Sequence, residues 1–287
     1  MKKFTLLSCL CFLGFNLFAQ FGNFKKRADL ETFKDTKLIV VLFPDSAYSY
    51  SLMAAIEKYW TFTGFEFAED TAMQRYRKGD YAFMYFSKSK GSKNKSKVAS
   101  SEQDFNGLVI TRKFSRRVLP DNLLAYAYCG NKIDTGDWEI EMIRAVQLMN
   151  NYFNYAIQAK NDGEIGSTKM MNNYPTDKNL LVDKKLLIET GQLDMKGSKE
   201  DAMTSFDGDA EEVEMEEIHK AIKNQDNSFL YYYHSKDEKY CNKLVVSAAN
   251  SELMYFESAA PDKCKCTSKD LKALKTFKIK AAKSVAD

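Results

Sequence analysis

Apolar and polar positions along the chain alternate in blocks that predict strands and helices in turn. Residues 37–43 form a continuous apolar run rich in β-branched side chains, which is typical of a strand buried on both faces. A polar turn follows, and apolar positions between Leu52 and Trp60 then recur at helical spacing. Residues 65–67 and 81–86 predict two more strands on either side of a short helix. The pattern therefore predicts a β-α-β-α-β unit with a central, parallel first strand.

Two antiparallel strands and one long helix extend this unit. Residues 105–114 and 123–129 predict strands that pair antiparallel with it, whereas the lead-in over residues 21–35 is polar and predicts no element. From Trp138 to Gln158 an apolar residue returns every three or four positions, which predicts a helix of about five turns with one buried stripe.

The same order of patterns begins again in the second half of the chain. Residues 65–88 and residues 211–236 each run from an acidic junction through a short helix and a polar turn into an aromatic strand that ends in Ser-Lys. We interpret the two segments as a diverged internal duplication, since their order of elements is the same although few positions are identical.

The repeat sets the predicted fold class and domain boundaries. We predict an α/β protein made of two tandem, diverged three-layer βαβ-type units with mixed sheets. The second unit is predicted to open with a strand over residues 179–183, the counterpart of the first strand, and Asp183 is placed at its end. It is predicted to close with a helix capped by Thr267 or Ser268. The predicted divisions are a signal peptide (1–19), a first α/β domain (20–137), a long helix with a linker (138–177) and a second α/β domain (178–287).

The amino terminus has the pattern of a secretory signal peptide. Lys2 and Lys3 precede an apolar run over residues 4–18, and the small residue Ala19 precedes Gln20 at the predicted cleavage position. The run is shorter than the roughly 20 apolar residues that a membrane-spanning helix needs. We therefore expect a cleaved, exported protein, periplasmic or secreted, with no transmembrane helix after cleavage. An uncleaved anchor and a lipid-modified amino terminus are the alternatives.

Four cysteines remain in the predicted mature chain, in a compartment that permits disulfides. Cys241 lies between two strand-like runs and Cys264 and Cys266 follow the second run, so a bridge from Cys241 to either of them closes a loop of about 25 residues. A metal site that adds His234 to these three cysteines and a redox pair are alternatives, but the spacing matches neither a zinc finger nor a C-x-x-C motif. We predict a structural disulfide, no metal and no cofactor.

Composition and charge narrow the function classes. The 287 residues are 45% hydrophobic and 28% charged, which is typical of a globular chain, and the formal net charge of +3 is too small to favour a nucleic-acid partner. Catalytic pairs built on histidine have only His219 and His234 to use. The carboxylates clustered over residues 207–217 are typical of a solvated acidic face. No catalytic residue is predicted, and the balance favours a protein that is not an enzyme.

The turn after the first predicted strand is the candidate ligand-binding site. Ligands of open α/β sheets bind beyond the carboxyl ends of parallel strands, close to a helix amino terminus. Asp45, Ser46, Tyr48 and Ser49 put polar groups there, in a hydroxyl-rich turn suited to a small anion or a sugar. The alternative is that Asp45 or Ser46 caps the following helix and the turn is merely solvated.

Two segments carry a resemblance to known proteins. The Leu-Phe-Ala-Gln end of the signal, together with residues 54–67 (Ala-Ala-Ile-Glu-Lys-Tyr-Trp-Thr-Phe-Thr-Gly-Phe-Glu-Phe), resembles exported proteins of Bacteroidota bacteria that have no assigned function. The resemblance implies a Gram-negative envelope protein and no functional residue. We expect a non-catalytic binding or scaffold protein that contacts another envelope protein. A small-ligand or sugar-binding receptor and an envelope hydrolase that uses acidic residues are the alternatives.

Overall fold

The computed structural model describes residues 24, 27–44, 46–89, 105–115, 122–129, 137–159, 184–194, 210–236, 241–260 and 262–274. Ala19, Gln20, Asp45 and the strand predicted over residues 179–183 lie outside the described residues. The helices are α1 (Arg27–Asp35), α2 (Ala47–Tyr59), a 3-10 helix (Asp70–Tyr76), α3 (Trp138–Gln158), α4 (Met215–Lys223) and a last helical segment over residues 268–274. The strands are β1 (Lys37–Leu42), β2 (Phe65–Glu69), β3 (Tyr81–Ser89), β4 (Phe105–Thr111), β5 (Leu123–Tyr128), β6 (Lys185–Glu189), β7 (Leu193–Asp194), β8 (Ala210–Val213), β9 (Phe229–Lys236), β10 (Cys241–Ser247), β11 (Leu253–Ala259) and β12 (Cys266–Thr267).

The first sheet has the strand order β2-β1-β3-β4-β5. β1 lies between β2 and β3 and is parallel to both, whereas β4 and β5 continue the sheet by antiparallel pairing. Leu38 to Val41 of β1 are fully buried because apolar clusters lie on both faces of the sheet. The predicted central parallel strand and its antiparallel extension are confirmed.

The second sheet repeats the first strand by strand. Its order is β8-β6-β9-β10-β11, with β6 parallel to β8 and β9, and with β9, β10 and β11 antiparallel to one another in turn. Lys37 pairs with Tyr81 in the first sheet and Lys185 pairs with Phe229 in the second. β6 therefore corresponds to β1 and β9 to β3, and the α/β fold with two similar mixed-sheet units is confirmed.

A register shift in the last hairpin of each sheet supports the same correspondence. The shift falls between Ile110 and Thr111 of β4 and between Val245 and Val246 of β10. These positions are equivalent, since Ile110 faces Met84 of β3 and Val245 faces Tyr232 of β9 at matching places in the two registers. Bulges are specific local features of a strand pair, so their shared position agrees with duplication of one unit.

Helix α3 lies between the two sheets and packs on both. Thirteen of its 21 residues are buried, more than the single stripe that the sequence predicts. One side covers the inner face of the first sheet, which we define as Leu38, Val40, Ala82 and Met84. The other side covers the near face of the second sheet, which we define as Leu187, Tyr231, Tyr233 and Leu244. No described helix, α3 included, combines the length and apolarity needed to cross a membrane.

The remaining two sheet faces carry short helices. The 3-10 helix lies on the outer face of the first sheet, which we define as Ile39, Phe83, Tyr85 and Val109. The segment 268–274 lies on the far face of the second sheet, which we define as Leu186, Leu230, Tyr232 and Val245. Thr267 caps this segment, because Asp270 N donates to Thr267 Oγ1 at 3.4 Å and Thr267 N donates to Asp270 Oδ2 at 2.7 Å. The predicted cap at Thr267 is confirmed.

Two sequence expectations are wrong. The polar lead-in contains α1, whose Leu30 and Phe33 are buried, and the Phe33 ring lies 5.5 Å from that of Phe153 on α3. Two apolar residues one turn apart give too little periodicity to reveal a helix. Asp183 is not at the end of the counterpart of β1, since that counterpart is β6, which ends at Glu189.

Candidate functional site

The predicted ligand-binding turn is held together by its own hydroxyl groups. Ser46 Oγ donates to the Phe43 carbonyl oxygen at 2.9 Å and lies 2.6 Å from Ser49 Oγ, which accepts a hydrogen bond from Phe43 N at 3.1 Å. Ser46 is the N-cap residue of α2, but its side chain makes no capping hydrogen bond. Tyr48 packs 5.5 Å from the Trp138 ring, and burial raises the pKa of its hydroxyl to about 12. These side chains fix the end of β1, and ligand binding by them stays a prediction.

A groove of about 820 Å³ lies at the other end of the first sheet, where β1 and β3 begin, and opens onto the outer face. Its walls are α1, the 3-10 helix with the turn that follows it, and the turn that follows β4. This volume is within the range of known ligand and peptide pockets. Most of the groove lies at the amino-terminal edge of the parallel strands, whereas Asp70 and Thr71, which directly follow β2, extend its lining to the carboxyl-terminal edge, where the sequence places the candidate site.

The floor and one wall of the groove are apolar and aromatic. Met73 and Phe83 line it while being only 8% and 5% exposed. The rings of Tyr76 and Tyr81 meet edge to face at 5.3 Å, and Phe114 adds a further ring, packed 6.2 Å from Phe83. These rings hold one another in place, so the surface is rigid and suited to apolar contact.

Cationic side chains surround this floor. Arg77 follows the 3-10 helix, and Arg112 and Lys113 follow β4; all three are exposed and line the groove. Within the described part of the chain, none of the three side chains forms an ion pair or a hydrogen bond. Asp29, Asp70 and Asp80 also line the groove, so its rim carries both signs of charge. The unpaired cations leave the rim able to accept an anionic group next to an aromatic surface.

A buried ion pair lies where α3 meets the second sheet. Arg144 is 4% exposed, forms a salt bridge with Glu141 one turn earlier, and places its guanidinium 3.7 Å from the centre of the Tyr233 ring. The Tyr233 hydroxyl donates to the Tyr128 carbonyl oxygen at 2.9 Å, which joins the two sheets directly. Burial also raises the pKa of Tyr233 well above its usual value, so this hydroxyl stays protonated. The cluster holds the two units in one register.

Two ion pairs at the edge of this interface involve α4. Asp137 accepts from His219 Nδ1 at 2.9 Å, and Glu139 accepts from Lys223 at 2.6 Å. His219 therefore has a structural contact between units, in keeping with its interpretation from the sequence as a structural or exposed residue. His234 lies apart from it, on β9.

A second buried cluster surrounds Asp270 in the second unit. Asp270 accepts hydrogen bonds from Lys243 at 2.9 Å, from the Tyr255 hydroxyl at 3.0 Å and from Thr267 Oγ1 at 2.6 Å. Burial alone would raise the pKa of Asp270, but hydrogen bonds that involve Glu257, Thr267 and Lys243 outweigh it and lower the pKa to about 2. The carboxylate is thus charged, and both of its oxygens accept hydrogen bonds. Nothing in this arrangement points to proton transfer.

The four cysteines among the described residues form one disulfide and two buried thiols. Cys241 pairs with Cys264, which confirms one of the two predicted pairings, and Cys266 and Cys129 are free and buried. Burial raises the pKa of both thiols, which keeps them protonated and poor nucleophiles. Across the described stretches, no group of three or more His, Cys, Asp or Glu residues is placed to hold a metal ion.

Comparison with known proteins adds no relative to this description. No protein-family model, no curated protein and no solved structure matches the chain. The functional argument therefore depends on the geometry of the chain itself.

Proposed function

We propose that the chain is an exported, non-catalytic binding protein that acts through contacts with another envelope protein, and that the groove is its contact surface. The observation that carries the proposal is the rigid aromatic floor next to three cations that have no partner in the described residues. Aromatic rings and arginine are the groups that contribute most to binding in protein interfaces.

The state of the buried ionisable groups supports a role without catalysis. Catalytic groups commonly have a perturbed pKa and a reactive atom that is open to substrate. The buried charged groups of the described residues, Arg144, Lys184, Lys243 and Asp270, are instead engaged with neighbouring side chains and lie away from the groove. They stabilise the packing of helices on sheets.

The disulfide and the amino-terminal pattern support export. A bond between Cys241 and Cys264 persists in an oxidising compartment, and Lys2, Lys3 and the apolar run that follows are typical of a signal peptide. We place the protein in the periplasm or outside the cell, in keeping with the resemblance to exported Bacteroidota proteins. Mass spectrometry of the protein from its native host should then find Gln20 as the first residue.

The direct test is chemical cross-linking followed by affinity purification of the tagged mature chain from its native envelope. We expect a partner recovered in constant ratio to the chain and cross-linked to peptides that contain Arg112 or Lys113. The charge reversal Arg112→Glu should lower recovery of this partner, whereas Lys220→Glu, a matched reversal on the exposed side of α4, should not. Recovery of the chain alone would contradict the proposal.

A small-ligand receptor is the second candidate, because the groove volume also suits a compact anionic molecule with an apolar part. In that case the purified chain would retain a small molecule, detectable by native mass spectrometry and lost in Arg112→Glu. The two candidates differ in whether the cross-linked species is a protein.

A further inference from the structure

The second sheet shows what one face of this strand arrangement can bind. The near face of the second sheet is covered by α3, a helix that belongs to the chain before that sheet begins. Tyr231 and Leu244 pack in the same core as α3, and Ser251 Oγ donates to Gln147 Oε1 of α3 at 2.8 Å. This face of the repeat is thus a surface for an amphipathic helix.

The corresponding face of the first sheet is the outer face, onto which the groove opens. The strand registers match Phe83 with Tyr231, since Phe83 pairs with Ile39 of β1 and Tyr231 pairs with Leu187 of β6. In the second unit this position packs under α3, whereas in the first unit Phe83 lines the groove. The groove therefore lies on the face that, in the second unit, receives a helix.

The near face of the second sheet and the groove also offer similar charges to a helix, since each has basic side chains at its edge. The first turn of α3 and the residue before it are acidic, and they pair with bases of the second unit, Asp137 with His219 and Glu139 with Lys223. The rim of the groove offers Arg77, Arg112 and Lys113 without such partners in the described residues. Three acids line the same groove, but Asp29 and Asp70 already have interactions of their own. An incoming helix with acidic residues in its first turn would complete the same pairing.

We infer that the groove binds an amphipathic helix of a partner protein, with the apolar stripe of the helix on the half-exposed rings of Tyr76, Tyr81 and Phe114 and its acidic first turn at the cations. This inference rests on the proposed function and specifies the chemistry of the partner. A helix in a groove is a common mode of recognition, and its apolar residues at positions i, i+3, i+4 and i+7 supply the contact.

The probe is a labelled synthetic helical peptide with leucine and phenylalanine at those four positions and glutamates in its first turn. Its binding to the mature chain is measured by fluorescence anisotropy. The control peptide has lysines in place of the glutamates. We expect the acidic peptide to bind at least about tenfold more tightly than the basic one, and the difference to shrink at high salt.

Two variants locate the binding surface. Gln74→Trp puts an indole into the groove from an exposed position on the 3-10 helix and should weaken acidic-peptide binding by more than about tenfold. Arg112→Glu should weaken it by about three- to tenfold, and Lys220→Glu should leave it unchanged. Thermal unfolding of each variant shows whether the fold is kept, and Arg112→Glu remains a valid test if Gln74→Trp is unstable.

Four results would overturn the inference. The two peptides could bind equally, or binding could survive both Gln74→Trp and Arg112→Glu. Phenyl phosphate could bind the groove where the peptide does not, which would indicate a small-ligand site. Sedimentation velocity could show a dimer that dissociates in Gln74→Trp, which would mean that a second copy of the chain occupies the groove. If cross-linking still recovers a protein partner while the peptide fails, this inference alone is wrong; if the peptide binds but no partner is recovered, the proposed function is wrong.

Discussion

The two units have the same five strands but differ in how a helix is attached to equivalent sheet faces. On the inner face of the first sheet, Leu108, Ala125 and Ala127 lie buried in one apolar core with α3. The strand registers place Lys243, Tyr255 and Glu257 at the corresponding positions of the second sheet. The helix there is the segment 268–274, a third of the length of α3.

The difference follows from how much area each helix can bury. A helix of 21 residues covers enough apolar surface to be held mainly by packing, although Thr61 N and Phe62 N also donate to Asn150 of α3. A helix of two turns is unstable without further contacts. The second unit supplies those contacts as directed bonds, with Lys243, Tyr255 and Thr267 donating to Asp270. The Cys241–Cys264 disulfide ties the preceding loop to the sheet. Two sheets with the same strand order are thus closed in different ways, the first mainly by apolar area and the second by directed bonds as well.

Removing the carboxylate of Asp270 should have the largest effect. Asp270→Ala leaves Lys243 buried without a counter-charge and also removes the acceptor of the hydrogen bond from Thr267 N, so we expect the free energy of unfolding to fall by about 3–5 kcal/mol. The double variant Asp270→Ala/Lys243→Leu should recover part of this loss, because Leu108 already occupies the equivalent position in the first unit. Urea unfolding measures both; a double variant no more stable than the single one would contradict the comparison.

Breaking the disulfide should have the next largest effect. The two cysteines are 23 residues apart in sequence, and opening this loop in Cys241→Ser/Cys264→Ser should lower the free energy of unfolding by about 3 kcal/mol. Hydrogen exchange should show faster opening of residues 262–274 with little change in α3, which no disulfide constrains. Equal acceleration in both helices would mean that the bond stabilises the whole chain.

Acid should weaken the second unit before the first, with the smallest effect of the three. The pKa of Asp270 in the folded chain, about 2, is below its unfolded value, so its contribution is present above about pH 4 and is lost as the pH falls towards 2. We expect a loss on the order of 1 kcal/mol over this range, measured as a shift of the urea midpoint. Asp270→Asn is the control and should lack this part of the acid dependence.

Long, strongly periodic elements could be predicted from the sequence. The apolar run of β1 and the 21-residue pattern of α3 were clear, because each repeats one burial period over its whole length. The short α1 was missed, since only Leu30 and Phe33 carry its pattern. The start of the second unit was misplaced because two apolar runs lie close together there, and periodicity alone does not distinguish the strand that pairs with β9.

The candidate site could not be predicted in the same way. The groove is assembled from α1, the 3-10 helix and the end of β4, which are far apart in sequence and meet only through the sheet. Arg112 and Lys113 look like ordinary residues of a polar turn. Four cysteines allow three pairings and the sequence does not choose among them, whereas in the structure Cys266 packs against the far face and Cys264 bonds to Cys241.

The position of α3 between the two sheets also limits how the chain can be divided into fragments. A fragment that starts after the long helix would leave Tyr231, Leu244 and Val246 open to water, and an exposed apolar sheet face of this kind favours aggregation. The second unit therefore depends, for the cover of its near face, on a helix that the chain supplies before that unit begins, although the two units share one strand order.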